Sequence, residues 1–257
     1  MPHHNLFDLH GRTALITGGS KGIGRAIAEG FARAGADLFL CARSAGPLGQ
    51  AAEEIAKAHG VRVEAVAADM AVRAEAQRVA ALAQERLGKI DILVNNAGWN
   101  IPQAIDEIRD EDWNYLVELN LSSVMALTRA VVPGMKERRW GRVIHISSIM
   151  GLASTPKRNV YSATKAALIG MAQASALDLG AYNITVNCIA PGPIATDMPM
   201  SLLSPPQQDA LAGRTALNRW GRPDELAGPA LLLASEAGSY VSGTVLVVDG
   251  GALARIF

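Results

Sequence analysis

Cysteine is scarce in this chain: the 257 residues contain two, Cys41 and Cys188, each inside an apolar run that reads as a strand. That scarcity excludes a disulfide framework and fits a reducing cytoplasm. An excess of either charge is missing too. The 24 Lys and Arg balance the 24 Asp and Glu, leaving no electrostatic footprint for nucleic acid or an anionic membrane. No apolar run approaches the roughly 18–20 residues that a membrane span needs. The opening MPHHNLFDLHG has no apolar core of the signal-peptide kind. Its histidines, His3, His4 and His10, have the chemistry of metal ligands, but residues 1–10 are expected to form a mobile, solvated leader. No metal site is expected.

What is present is an ordinary globular balance, 49% hydrophobic and 19% charged, in a length that suits one large domain over residues 11–257. Short β-branched or apolar runs alternate with longer amphipathic stretches. TALIT (Thr13–Thr17) leads into a helix from about Gly22, and Asp37–Cys41 precedes an Ala/Glu-rich helix through Ile55. Arg62–Ala67 precedes a helix reaching about Leu87, and Ile90–Asn95 follows it. Further strands are expected at Arg142–Ile146, Ile184–Ile189 and Val245–Val248, with helices around Glu111–Met135, Val160–Leu179 and Asp224–Ala234 between them. Strand runs without alternation imply burial on both faces, hence a parallel sheet covered by helices. The expected fold is a single-domain, Rossmann-type, doubly wound α/β sheet whose ligands bind beyond the carboxyl ends of its strands.

Directly after the first strand comes Thr17-Gly18-Gly19-Ser20-Lys21-Gly22-Ile23-Gly24. Glycines at 18, 22 and 24 allow a tight turn, backbone approach to a pyrophosphate, and close helix–strand packing. The following helix offers unpaired N–H groups and a positive dipole end to phosphates. The acidic residue that would hold the ribose of NAD is absent where the second strand ends, which reads Cys41-Ala42-Arg43-Ser44. Arg43 is placed to pair with a 2′-phosphate and Lys21 to approach the same group, which favours NADP(H) over NAD(H).

Tyr161-Ser162-Ala163-Thr164-Lys165 lies in a helical stretch, and i, i+4 spacing puts the phenol and the ammonium on one face. A tyrosine with its ordinary pKa of about 10 trades protons poorly near neutrality. A neighbouring lysine, aided by a cationic nicotinamide, stabilises the phenolate and lowers that value. Thirteen positions before Tyr161, Ser148 follows a strand run and can hydrogen-bond a substrate oxygen.

The glycine loop, Asn95-Asn96-Ala97-Gly98, Asn120, Ser148, Tyr161/Lys165, Pro191-Gly192 and the closing Val241–Gly251 occur in one order at characteristic spacings. Together they resemble the classical short-chain dehydrogenase/reductase family from Gly11 to Gly251. The resemblance implies that Tyr161 is general acid in reduction and base in oxidation. Lys165 would lower its pKa and hydrogen-bond the nicotinamide ribose, Ser148 would hold the substrate oxygen, and Asn120 would support a water linking Lys165 to solvent. Asp69 and Met70 would border the adenine, Asn96, Ala97 and Gly98 would line the dinucleotide, and Pro191–Thr196 would cover the nicotinamide, with Ile194 and Thr196 near its carboxamide. Gly18, Ser20, Lys21, Gly22, Ile23, Gly24, Arg43, Ser44 and Gly192 complete the implied cofactor site.

For the substrate pocket the resemblance points to Trp99, Asn100, Ile149, Met150 and Gly151, and to Met198 in a lid over about 197–213. His145 is expected beneath the site, satisfied by its neighbours, and Arg138-Arg139-Trp140 at a solvated helix end. Arg219–Gly221, Leu226–Ala230 and Gly250–Ala254 are similar to gluconate 5-dehydrogenases and related sugar-acid or polyol oxidoreductases. The 3-oxoacyl carrier-protein reductases share the core motifs, although no cationic cluster beside the pocket is evident for an acidic carrier. A hydroxysteroid or xenobiotic ketone remains open as substrate. Other classes are a non-catalytic cofactor sensor, which usually lacks the tyrosine or lysine, and a methyltransferase, which needs neither. The family also implies a homotetramer, built on the helices of Asn120 and Tyr161 and on the last helix and strand, with the apolar tail Ala252–Phe257 buried against a neighbour.

Overall fold

A computed structural model describes residues 5–254, except for the side chains of Met198 and Leu202. Seven strands, β1 (Thr13–Thr17), β2 (Asp37–Ala42), β3 (Val63–Ala67), β4 (Ile92–Asn95), β5 (Gly141–Ile146), β6 (Ile184–Pro191) and β7 (Val245–Val248), form one sheet in the order β3-β2-β1-β4-β5-β6-β7. Every pairing is parallel.

Alternate residues of each strand feed two separate cores, which is why the strand runs are apolar throughout. From β1, Leu15 joins Phe39, Cys41, Val143 and Val186 on the face covered by α3 (Arg73–Leu87), α5 (Ser123–Arg138) and α6 (Asn159–Leu179). Ala14 and Ile16 join Leu38, Leu40, Ile144 and Ile189 on the opposite face, against Ile27 and Phe31 of α1 (Gly22–Arg33), Leu48 and Ile55 of α2 (Ala45–His59), and Ala230 and Leu233 of α9 (Ala227–Ala234). Full burial of each such large apolar side chain contributes about 1.5–3 kcal/mol. Both cysteines are free, and burial pushes their thiols up to about 12. The strand order reverses at β1, between β2 and β4, which opens a crevice at the carboxyl ends there.

Four features depart from the sequence reading. Residues 5–10 are not a free leader: Leu9 is buried, its N–H donates to Ala34 O at 2.8 Å, and Ala237 N donates to Leu6 O. His10 is exposed and pairs with Asp8, whereas His3 and His4 lie outside the described residues. The helix around Trp113 is longer than expected. It runs through α4 (Asp110–Val117), a π turn at Glu118–Ser122 and α5, giving 29 residues that include an 18-residue window apolar enough to span a membrane by length and composition alone. Half of that window is buried in the protein, and Leu116, Leu127 and Val131 of this helix pack in the core.

The lid carries two helices of its own, α7 (Asp197–Leu202) and α8 (Pro205–Ala212), the second opened by a Ser204–Gln207 capping box. Finally, the 138–140 segment is exposed at Arg138 and Arg139, as a solvated helix end should be, but it is also pinned. Arg138 Nη2 donates to Ile90 O at 2.6 Å, Arg139 takes the left-handed C-cap conformation, and Trp140 is stacked between Arg12 and the fully buried Arg142.

Candidate active site

The glycine loop is held between the ends of β2 and β4. Gly18 N and Gly19 N both donate to Cys41 O. Thr17 Oγ1 accepts from Asn96 N and Ala97 N, each at 2.9 Å, while Asn96 Nδ2 donates back to Thr17 O at 2.8 Å. Gly18 and Gly22 have φ of 69° and 60°. A methyl group on Gly24 would overlap the Gly18 carbonyl oxygen and Asn96 Nδ2. The backbone is therefore packed as closely as the pyrophosphate reading requires, and α1 begins at Gly22 with no side-chain cap on its first amides.

Around this cradle the expected cofactor residues fall into place unevenly. Arg43 and Ser44 are exposed at the end of β2, and Asp69, Ala97, Gly98, Gly192 and Thr196 are partly open along the crevice. Pro191 and Ile194 are buried. Met70 is 4% exposed and its side chain belongs to the core, so it can present only its backbone to an adenine. Lys21 and Arg43 do not converge in this structure. Lys21 Nζ donates to Asp197 Oδ2 at 2.9 Å, at the start of the lid, and Arg43 Nη1 donates to Tyr115 Oη at 3.3 Å. Both members of the Lys21–Asp197 pair are mostly solvated, and such a pair contributes about 0–1 kcal/mol. It would give way to a phosphate dianion.

Beyond the carboxyl ends of β4 and β5, Ser148, Tyr161, Lys165 and Asn120 come together. Ser147 Oγ donates to Lys165 O at 2.8 Å, and the Gly151 backbone lies so close to Lys165 O that no side chain would fit there. These contacts seat the segment after β5 on the first turns of α6. Lys165 is 4% exposed. Its Nζ donates to Ile146 O at 2.8 Å and lies 5.6 Å from the centroid of the Tyr161 ring. Burial pushes its pKa down to about 8.

Tyr161 corrects the electrostatic expectation. Burial raises its pKa above the ordinary value, and what opposes that rise is a hydrogen bond with Ser148 and the charge of Arg158. The Lys165 ammonium lies over the ring, 5.6 Å from its centroid, and donates to the Ile146 carbonyl.

Asn120 is fully buried within the π turn. Its Oδ1 accepts from Trp99 N at 2.9 Å, and its Nδ2 donates to Trp99 O at 2.9 Å and Thr164 Oγ1 at 3.3 Å. The side-chain amide thus clamps the loop after β4 to α6. Trp99, Ile149 and Met150 are half-buried beside the site and Asn100 is buried, its Oδ1 without a partner. The side chain of Met198 lies outside the described residues.

His145 sits beneath Lys165 and is only half satisfied. Asn95 Nδ2 gives its two protons to Thr128 Oγ1 and His145 Nδ1, which leaves the imidazole proton on an Nε2 that has no partner. Burial first, then the Lys165 charge, push its pKa down to about 4, so it is a neutral ring at physiological pH. Sequence reading missed Thr17, Thr164 and Arg158. Only Arg158 left a signal, as one of two adjacent cations just before the tyrosine motif. Among the described residues no group of three or more His, Cys, Asp or Glu is placed to hold a metal.

Known proteins share this arrangement. A family model described as enoyl-(acyl carrier protein) reductase matches residues 18–252. A gluconate 5-dehydrogenase of Gluconobacter oxydans is 37% identical, covering 98% of this chain and 98% of its own length. A 3-oxoacyl-[acyl-carrier-protein] reductase of Pseudomonas aeruginosa is 39% identical over 95% of this chain and 98% of its own. Among solved structures, the L-sorbose reductase of Gluconobacter frateurii, complexed with NADPH and L-sorbose, superposes with a TM-score of 0.93 at 36% identity, covering 98% of this chain and all of that one. With the fold, the order of motifs and these relatives in agreement along nearly its whole length, the chain belongs to the short-chain dehydrogenase/reductase family of oxidoreductases.

Proposed function

We propose that this protein is an NADP(H)-dependent oxidoreductase that interconverts a ketone or aldehyde with an alcohol, Tyr161 being the acid and base, and that its substrate is a sugar acid or polyol. The observation that carries the reading is the convergence of Ser148, Tyr161 and Lys165 at the carboxyl ends of β4 and β5, beside a glycine loop packed for a pyrophosphate. When bound, NADPH supplies a hydride to the carbonyl carbon. The chain's task is orientation and proton management.

In reduction Ser148 Oγ and Tyr161 Oη hydrogen-bond the carbonyl oxygen, and Tyr161 Oη gives it a proton as charge develops there. The resulting phenolate is stabilised by the Arg158 charge and takes a proton from the Lys165 ammonium, whose amine then recovers one from solvent. The Asn120 clamp holds Trp99 over the pocket and keeps Thr164 on the same network. In oxidation each proton moves in the reverse sense.

NADP(H) is favoured over NAD(H) by Arg43, Lys21 and the absence of a carboxylate at the end of β2, and by the NADPH complex of the L-sorbose reductase. Charge-assisted bonds to a phosphate contribute about 1.5–3 kcal/mol each. An Arg43→Ala change is therefore expected to weaken NADPH binding roughly tenfold or more and to leave NADH binding nearly unaltered. Fluorescence titration with both nucleotides tests this. Equal or tighter binding of NADH by the parent protein would overturn the assignment.

A second reading, reduction of a 3-oxoacyl thioester, is supported by the Pseudomonas relative. A homotetramer belongs to the proposal, formed through the helices of Asn120 and Tyr161 and through the last helix and strand. Val247 and Leu253 are 39% and 38% exposed in the single chain, which suits such a contact. So does a cytoplasmic location, given two free, buried thiols.

A further inference from the structure

Two loops flank the Tyr161–Lys165 site, residues 96–105 after β4 and residues 149–158 between β5 and α6, with Gly98 and Gly151 against Lys165. Neither contains an aspartate or glutamate, and none occurs anywhere between Ser148 and Leu177. The second loop carries two adjacent cations, Lys157 and Arg158, so the pocket rim is cationic in a chain of zero net charge. The two cations stand side by side in the sequence just before the tyrosine motif; the fold brings the loop after β4 against them.

They are laced together. Gln103 N donates to Lys157 O at 3.1 Å, Asn159 Nδ2 donates to Gln103 O at 3.2 Å, and Gln103 forms an isolated bridge with Arg158. Lys157 takes a left-handed conformation with φ of 64°. Arg158 then becomes the residue just before α6, one turn ahead of Tyr161. Its side chain is half-buried and forms no ion pair among the described residues. By contrast the nearby Arg109 is neutralised by Asp112 at 2.6 Å, and that carboxylate also takes Gln103 Nε2. The Arg158 charge is close enough to act on the phenol.

A partly desolvated guanidinium without a counter-charge is costly, and a carboxylate that meets it bidentately offsets that cost. We infer that Arg158 reads an anionic group on the substrate, so that a keto or hydroxy acid is preferred over the neutral polyol or ketose of the same shape. This rests on the carbonyl/alcohol reading of the site. It also chooses between that reading's two substrate classes, which the gluconate and L-sorbose relatives leave open.

The test compares two six-carbon ketones, 5-keto-D-gluconate and L-sorbose, which differ in a carboxylate replacing a CH2OH group. Dissociation constants for each are measured by calorimetry with the NADP+-loaded protein, for the parent, Arg158→Gln and Arg158→Lys. The parent is expected to bind the acid at least about tenfold more tightly than the ketose. That ratio should fall close to one in Arg158→Gln and stay intermediate in Arg158→Lys. A merely structural role would weaken both ligands alike and leave the ratio where it was.

If Arg158→Gln does not fold, the parent's salt dependence replaces it: affinity for the acid should fall with ionic strength and that for L-sorbose should not. Equal affinities in the parent, or a ratio unchanged by both substitutions or by salt, would overturn the inference. Failure of both ketones to consume NADPH would count against the proposed reaction instead, since the affinity ratio does not depend on turnover.

Discussion

Tyr161→Phe is expected to lower the rate of carbonyl reduction by about a factor of 10² to 10⁴, the usual contribution of a positioned general acid. The substitution removes one hydroxyl and keeps the ring, so the packing of α6 against the loop after β5 should survive. Cofactor affinity should change little, because the contacts that build the dinucleotide cradle come from Thr17, Gly18, Gly24 and Asn96 rather than from α6. Stopped-flow reduction together with NADPH titration separates the two effects. A variant that turned over near the parental rate would show that the proton comes from elsewhere. The pH dependence has a definite sign. Reduction consumes the neutral phenol, so its rate should fall as pH rises through the titration of Tyr161, while oxidation should gain over the same interval. Burial places that titration above the ordinary tyrosine value and lowers Lys165, which returns the proton, to about 8.

Gly24→Ala is expected to be nearly as damaging by a different route. Its new methyl group would overlap the Gly18 carbonyl oxygen and Asn96 Nδ2, one backbone and one already engaged in holding β4 to the loop. Neither can retreat without opening the cradle, and forced overpacking of this kind costs about 1–3 kcal/mol. For a chain of this length each kcal/mol lowers the melting temperature by about 2–4 °C, so a drop of several degrees should accompany a large loss of NADPH affinity. Gly22→Ala is the informative comparison. There the nearest neighbour of the added carbon is Thr196 Cγ2 at 3.3 Å, and the strain is that of a left-handed backbone at φ 60°, about 1–2 kcal/mol. Calorimetric melting and NADPH titration should rank Gly24→Ala well below Gly22→Ala. The opposite order would mean that close packing at Gly24 does not shape the site.

The sheet was legible because each strand is buried on both faces. An apolar run such as Ile184–Ile189 has no other use in a chain whose helices are amphipathic. The reactive groups were legible because Ser148, Tyr161 and Lys165 are carried by a strand end and a single helix, so short spacings determine their geometry. What escaped the sequence depends on segments that meet only in three dimensions. Leu9 looks like part of a tail until α1 supplies Ala34 O and a core to enter. Arg142 starts its strand fully buried, with its guanidinium over the Trp140 ring, against which Arg12 also packs. The half-buried setting of Arg158 appears only when the loop after β4 is bridged to the one before α6. The Tyr161 pKa is a similar case: i, i+4 spacing correctly puts Lys165 on the same face, but spacing is silent about the Ile146 carbonyl that claims its ammonium.

The account stands or falls on hydride delivery to a carbonyl carbon. The most direct measurement incubates the parent protein with NADPH deuterated at its transferable position and with 5-keto-D-gluconate, L-sorbose and a 3-oxoacyl thioester in turn, followed by mass spectrometry of the products. The account predicts an alcohol carrying one deuterium at the former carbonyl carbon for at least one of these ketones, and no such product with Tyr161→Phe on the same timescale. NADPH that binds tightly yet leaves no deuterium in any of them would contradict it and mark the protein as a non-catalytic nucleotide binder.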